Sequence, residues 1–577
     1  MPTIRIELSD WLQNAGIVGL VNILENEKQD YNLKQNYLEF DSSILNNFST
    51  YYFKYFERRY IDHFSYSMIV NKGVGFLDTK DWNEQTLDKW NKYIETTKRL
   101  LTSNSYKAAY DMMPKQSINI VQFEKKLSKI RLKAKQTIDD VQDEINDGKN
   151  IIDTLIAYLK NEEVKKYIIA KNIAYSIIDK FWGNVSFLHK TSTKNDIFEE
   201  YLKYFIEPVF QYYEEEHKND TYCCFTCSQP IKRLSKPHAY DLAWLNKMGV
   251  DMSRKTSHFW NLNSSTCYIC PICNFVYSCI PAGFTVIHGQ GYFVNCNNNI
   301  QKLVKLNNNS ENLVLKEDET IRLAELKTYY QLLDYMEERK THGAGKEIDN
   351  IQIIKFSSQT DAEQRRPFTF NILSKDKLQV IQRYKNSLSG FVNKIIKLND
   401  DSYFNVFQGV LERLYQNRNQ FDLIEMLCRN SLPSRAEEPM KRVKIIRELI
   451  YLNNAFIATI NKNKGGSTSM NGYSSYVKRD TIKEIEEAGR SLAMAYSVRS
   501  ASNKLSGITY RLLNALKTKD TGKFMDTFVN AYMYCGQAIP TKIIDVLQDE
   551  HKLQTMGYAF VIGLRSGVPE SKEKGEE

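Results

Sequence analysis

Within its first twenty-five residues the chain changes period. "TIRIEL" alternates apolar and polar side chains, as a half-buried strand does, and Ser9 and Asp10 then supply N-cap candidates for "WLQNAGIVGLVNIL". Trp11, Ala15, Val18 and Leu24 recur there at helical spacing, so a strand followed by a helix opens the chain. "NYLEF" predicts a second strand, leading into the aromatic run "ILNNFSTYYFKYFERRY". In "NKGVGFLD", Gly73 and Gly75 mark a turn or a close backbone approach. From about Asn83 to Phe205 the pattern is mostly helical, whereas residues 221–300 interrupt it with cysteines, prolines, glycines and β-prone runs, the signature of an inserted small module. "IDNIQIIKF" and "RPFTFNIL" read as strands around a polar loop, and from about Lys375 the helical signal returns.

"NKNKGGSTSMNGY", Asn461 to Tyr473, has no apolar period and the composition of a flexible joint. Beyond it four apolar stripes follow: Ile482, Ile485, Leu492 and Tyr496; Ile508, Leu512, Ala515 and Leu516; Phe524, Phe528 and Tyr532; Ile543, Val546 and Leu547. Four amphipathic helices with short connections predict a bundle. The expected class is therefore α+β and multidomain: a mixed α/β region over 1–350 carrying the cysteine module, a strand pair with helices over 351–460, the joint at 461–473, and a helical bundle over 474–577. A length of 577 residues agrees, since one core rarely extends so far.

Composition narrows the class. Hydrophobic residues at 42% and charged residues at 25% are ordinary globular usage. Arg5, Glu7 and Asp10 interrupt the apolar core that an export signal requires, and no stretch of roughly 18 residues is apolar throughout, so the expected location is cytoplasmic, without a membrane partner. The net charge of +9 is modest for this length, and clustering says more. Lys125, Lys126, Lys129, Arg131, Lys133 and Lys135 fall within eleven residues free of acid, and Arg490, Arg499, Lys504 and Arg511 lead a second basic run that reaches Lys523. Each reads either as a solvated face or as a contact for a polyanion such as a nucleic-acid backbone.

Eight of the ten cysteines lie between Cys223 and Cys296. In a reducing compartment such clustering points to metal. Cys224 with Cys227 and Cys270 with Cys273 are two C-x-x-C pairs, and four thiolates complete a tetrahedral Zn2+ site with no position left for water, which makes the ion structural. The 42-residue spacer is longer than usual. Cys223 and Cys267 offer shifted registers, and His238 or His258 could replace a thiolate; Pro271 favours the pair that encloses it. Cys279, Cys296, Cys428 and Cys535 read as small buried residues. The H-x-E and P-C-x-x-C pattern of zinc deaminases is missing, as are H-E-x-x-H, the G-x-x-x-x-G-K-[ST] loop and the G-x-S-x-G elbow. In "HGQGYFVNCNNN", Gly289 and Gly291 flank Gln290, which either meets a base edge or closes a hairpin.

"IELSDWLQNAGIVGLVNIL", "CPICNFVYSCIPAGF" and "AGRSLAMAYSVRSASNKLSGITYRLLNALKTKD", in this order, resemble the large subunit of the type I-B CRISPR surveillance complex, Cascade. The resemblance implies a non-enzymatic protein that contacts the 5′ end of the guide RNA, reads the protospacer-adjacent motif on target double-stranded DNA and helps to open the duplex. It further implies contacts with the Cascade backbone and small subunits, and docking of a helicase-nuclease after target binding. In such proteins the C-terminal bundle resembles the small subunit and can be made separately by internal translation. Met470, after Lys464, Gly465 and Gly466, is the expected start, with Met440 competing. Gln290 with its flanking glycines is the first choice for motif reading, and Lys72 with Gly73 the second. A zinc-containing nuclease and a scaffold without nucleic acid are the other readings.

Overall fold

A computed structural model describes residues 2–113, 123–133, 136–248, 250, 267–287, 290–297, 299–308, 351–357, 368–373, 378, 381–392, 394–399, 402–416, 418–430, 439–464 and 476–567. They pack as two units, one within Met1–Ala324 and Ile351–Phe370, the other within Glu325–Asn350 and Asn371–Glu577.

The first unit opens as its period implies. Strand β1 (Thr3–Glu7) buries Ile4 and Ile6 and pairs antiparallel with β3 (Tyr37–Asp41), which in turn pairs with β2 (Tyr31–Leu33). The Asp10 carboxylate accepts the N–H groups of Leu12 and Gln13 at 2.8 and 2.9 Å and starts helix α1 (Trp11–Asn26). Burial pushes the Asp10 carboxyl up, against the opposite pull of these two N–H groups. Helix α1 is buried on nearly every side, because the elements that follow the second cysteine pair close over it.

Helices α2 (Phe48–Tyr60), α3 (Ser65–Leu77), α4 (Glu84–Leu101), α5 (Asn104–Met112), α6 (Gln142–Leu159) and α7 (Glu162–Ser176) surround an aromatic core containing Tyr52, Phe56, Trp182 and Tyr201. The glycines expected at a turn or a close backbone approach lie within α3, and the second alternative describes Gly73. Gly73 is where Tyr93 of α4 and Ile156 of α6 press against the helix, so its missing side chain serves helix packing. The basic segment differs too: Lys125 and Lys126 end one short 3-10 turn, and residues 127–133 are irregular, not helical. Their backbone is held by α4, since Asn91 bonds both the N–H and the carbonyl of Ile130, and Lys98 donates to the Leu127 carbonyl at 2.9 Å. A second sheet has the order β11 (Phe368–Leu373), β10 (Ile351–Ser357), β9 (Gln290–Asn295), β8 (Thr285–Ile287), and helices α8 (Glu207–Glu214), α9 (Pro271–Ser278), α10 (Ile280–Gly283) and α11 (Ile300–Asn308) belong to the same unit.

The second unit contains a hairpin absent from the sequence reading, β12 (Ile395–Asn399) with β13 (Ser402–Asn405). Its helices of ten or more residues, among those described, are α12 (Val406–Tyr415), α13 (Phe421–Asn430), α14 (Pro439–Lys464), α15 (Arg479–Val498), α16 (Asn503–Thr518), α17 (Thr521–Cys535) and α18 (Glu550–Ser566). Asn461 to Lys464 form the last turn of α14; the rest of the expected joint, with Met470, lies outside the described residues. The fourth helix of the bundle is α18, while Ile543 sits in the short helix Thr541–Ile544.

Helices α15 and α18 meet backbone to backbone: a Cβ on Gly563 would fall on the Glu486 carbonyl oxygen, and one on Gly489 on that of Phe560. Alanine in an open helix gains about 1 kcal/mol over glycine. Forcing these helices apart costs about 3 kcal/mol, so the clash decides the sign. Gly563→Ala is expected to lower the thermal midpoint followed by circular dichroism, and Gly507→Ala, whose Cβ meets nothing within 4 Å, to raise it.

Candidate metal centre and cationic surfaces

The first cysteine pair sits on a tight hairpin. Strand β4 (Tyr222–Cys223) pairs with β5 (Pro230–Ile231), Cys224 N–H donates to the Gln229 carbonyl at 2.8 Å, and Ser228 adopts the left-handed conformation that reverses the chain. Phe225 N–H reaches the Tyr268 carbonyl at 2.8 Å and ties this knuckle to the second pair. There Cys270 caps helix α9 (Pro271–Ser278): its sulfur accepts the Cys273 N–H at 3.5 Å, and Pro271 occupies the first turn, where a missing N–H costs nothing.

The sulfurs of Cys224, Cys227, Cys270 and Cys273 all lie within 4.8 Å of one another, and those of Cys227 and Cys270 are 3.6 Å apart. Thiolates bound about 2.3 Å from a tetrahedral centre are about 3.8 Å apart, so the cluster has the size and donor set of a closed metal site. Hydrogen bonds from the other three thiols pull Cys224 down, whereas hydrogen bonds with Cys224 and Cys227 push Cys270 and Cys273 up. Four negative sulfurs at this spacing repel one another, and only a cation among them lets the whole set ionise. Supporting contacts come from elsewhere in the fold: Cys270 N–H donates to Cys224 Sγ at 3.3 Å, and the buried Gln13 amide of α1 lies 4.0 Å from Cys273 Sγ.

Among the described residues neither shifted register nor His238 joins the cluster. Cys223 is exposed on β4, Cys267 is buried outside the cluster, and His238 faces Glu215 at 3.2 Å; His258 lies outside the described residues. Burial pushes the Cys279 thiol up to about 12, and Cys296, Cys428 and Cys535 are buried as well.

Residues 217–285 match the model of a family described as a CRISPR-associated protein, Cas_CXXC_CXXC. The matched stretch contains all four clustered cysteines. The match supports a CRISPR-associated protein. No curated protein and no solved structure matches the chain. Among the described residues no helix is long and apolar enough to cross a membrane.

The expected nucleic-acid residues fall in four places. Lys125, Lys129 and Arg131 line a groove of about 700 Å³ against α4, together with Lys98 and Arg99, which sequence reading passed over because they lie on another element. Lys129 pairs with Glu95 at 2.8 Å and Lys98 with Glu124 at 3.5 Å; Lys126 leans over the Phe123 ring, and neither Lys126 nor Lys133 lines the groove. On the bundle, Arg490 is engaged by Glu486 and Glu487, and Arg499 donates to the Tyr534 and Cys535 carbonyls at the end of α17. Lys504 stands 4.3 Å from the centre of the Tyr534 ring, and Arg511 is exposed. Gln290 begins β9, its backbone opposite Ile287 and Ser357, and Gly291 is buried in that strand between Val286 and Phe356. Gly289 lies outside the described residues. Lys72 is exposed on α3.

Proposed function

We propose that this chain is the large, non-catalytic subunit of a type I-B Cascade, with a structural Zn2+ held by Cys224, Cys227, Cys270 and Cys273. The observation that carries the reading is the four-thiol cluster inside the stretch similar to a CRISPR-associated family. The N-terminal and C-terminal segments that resemble the same subunit, and the cationic groove beside α4, support it. In this role base pairing by the guide RNA reads the target, while protein contacts read the short motif and the phosphates. The protein works in the cytoplasm with the backbone subunits and the small subunit, contacts the 5′ end of the guide, helps to open the duplex, and docks a helicase-nuclease.

The test is binding of the assembled complex to duplexes with an intact or a scrambled motif. Gln290→Ala is expected to erase at least tenfold of the preference for the intact motif while leaving salt-dependent backbone binding in place. Unchanged preference removes Gln290 as the reader. Hydrolysis of DNA or RNA by the pure chain with Mg2+ or Mn2+, lost on replacing a single acidic side chain, overturns the non-catalytic role itself.

A further inference from the structure

The geometry points to a capture site for one unpaired nucleotide between α3 and α4, a more specific contact that rests on the nucleic-acid role proposed above. These helices enclose a slot of about 470 Å³, within the range of small-ligand sites. Ile69 and Phe76 of α3 and Leu100 of α4 form apolar walls. Three exposed cations, Lys72, Lys89 and Lys92, share the lining with them, and no carboxylate does. None of the three lysines has an ion-pair partner among the described residues, in contrast to Lys98 of α4 and Lys129 of the irregular segment, which line the larger groove.

An apolar slot with an uncompensated cationic lining suits a flat, weakly polar ring joined to anionic groups, which describes a base with its flanking phosphates. An apolar peptide would leave the three charges unused. Position adds to the argument. Residues 89, 92, 96 and 100 of α4 line the slot, and 95, 98, 99 and 102 line the larger groove, so two cationic recesses lie on either side of one helix about 10 Å wide. A single strand seated by one base in the slot can carry its next phosphates over α4 toward Arg99, Lys125 and Arg131. The plainer explanation, lysine stems lying over apolar surface to shield it, predicts no preference for a base.

The two explanations separate on oligonucleotides. The full chain is titrated with labelled oligouridylate, oligodeoxythymidylate and an abasic strand of equal length. Gly75→Leu is the informative variant: Gly75 lines the slot, its Cβ would meet nothing within 4 Å, and leucine suits a helix better than glycine. It is expected to keep or raise the thermal midpoint, weaken binding about tenfold and abolish the difference between strands with bases and the abasic strand. Lys72→Glu, Lys89→Glu and Lys92→Glu together are expected to reduce the slope of log K against log salt by about 2. Tighter binding of the ribose strand assigns the slot to RNA, and tighter binding of the deoxy strand to DNA. Parent-like binding by both variants, or equal affinity for the abasic strand, overturns the site and leaves the proposed function standing. Failure of the parent chain to bind any oligonucleotide overturns both.

Discussion

Cys270→Ser is expected to abolish binding of the proposed zinc and to unfold the cysteine module. Serine is itself a good N-cap, so α9 keeps its start, and the change isolates the loss of one thiolate from the set. Structural zinc contributes about 10–16 kcal/mol of apparent binding energy in small domains. That matches the whole stability of a typical domain, about 5–15 kcal/mol. The module here also leans on a large core, since Cys270 and Cys273 pack with α1 and the aromatic cluster, so part of the fold survives the loss. A net loss of about 5 kcal/mol, or about 10–20 °C in the midpoint of the first unit, is the expected result. Elemental analysis reads the metal and calorimetry the midpoint. Cys223→Ser, beside the cluster on an exposed strand, is expected to change neither. Full zinc content and an unshifted midpoint in Cys270→Ser would show that these thiols hold no structural ion.

The second large effect concerns where an internally started product begins. A fragment from Met440 is expected to unfold cooperatively, and one from Met470 to lack a defined transition. Helix α14 separates the two, and it is part of the bundle's packing. Ile446, Leu449, Ile450 and Phe456 are buried, and Asn454 bonds both the N–H and the carbonyl of Val477 ahead of α15. Arg447 clasps the Glu486 carboxylate with two bonds of 2.5 and 2.8 Å, and Glu486 is only 4% exposed. Removing one partner of such a pair costs about 3 kcal/mol, because the remaining charge is buried with less compensation; Arg490 at 3.6 Å recovers some of it. Arg447→Ala in the full chain should show this cost alone, and the Met470 fragment adds the exposed apolar face. Thermal unfolding of equal stability in the two fragments would place the bundle's boundary after α14.

The features legible in the sequence were those whose causes are local. Strand β1 and helix α1 follow from a change of apolar period and one capping aspartate. The metal cluster follows from two C-x-x-C pairs whose sulfurs can do little else when gathered. What escaped reading depends on partners far along the chain. Helix α18 is buried on all sides from Leu553 to Leu564, so it has no polar face to set a period, and the weaker stripe at Ile543, Val546 and Leu547 stood in for it. Gly73 and Gly75 resemble turn residues until Tyr93 and Ile156 are seen against Gly73. The basic segment is irregular because α4 side chains, remote in sequence, satisfy its backbone. Lys89 and Lys92 are unremarkable on α4 until α3 places Lys72 beside them.

The burial of α1 constrains how the protein can be made. Its partners, Cys273 beside Gln13 and Ala282 beside Asn22, come 260 residues later. At about 5–20 residues per second a ribosome needs about 15–50 s to supply them. Throughout that interval one of the most apolar segments of the chain has emerged with only α2 to cover part of it. Nascent polypeptides halted before residue 284 should therefore depend on chaperones and enter inclusion bodies, while longer ones escape that fate.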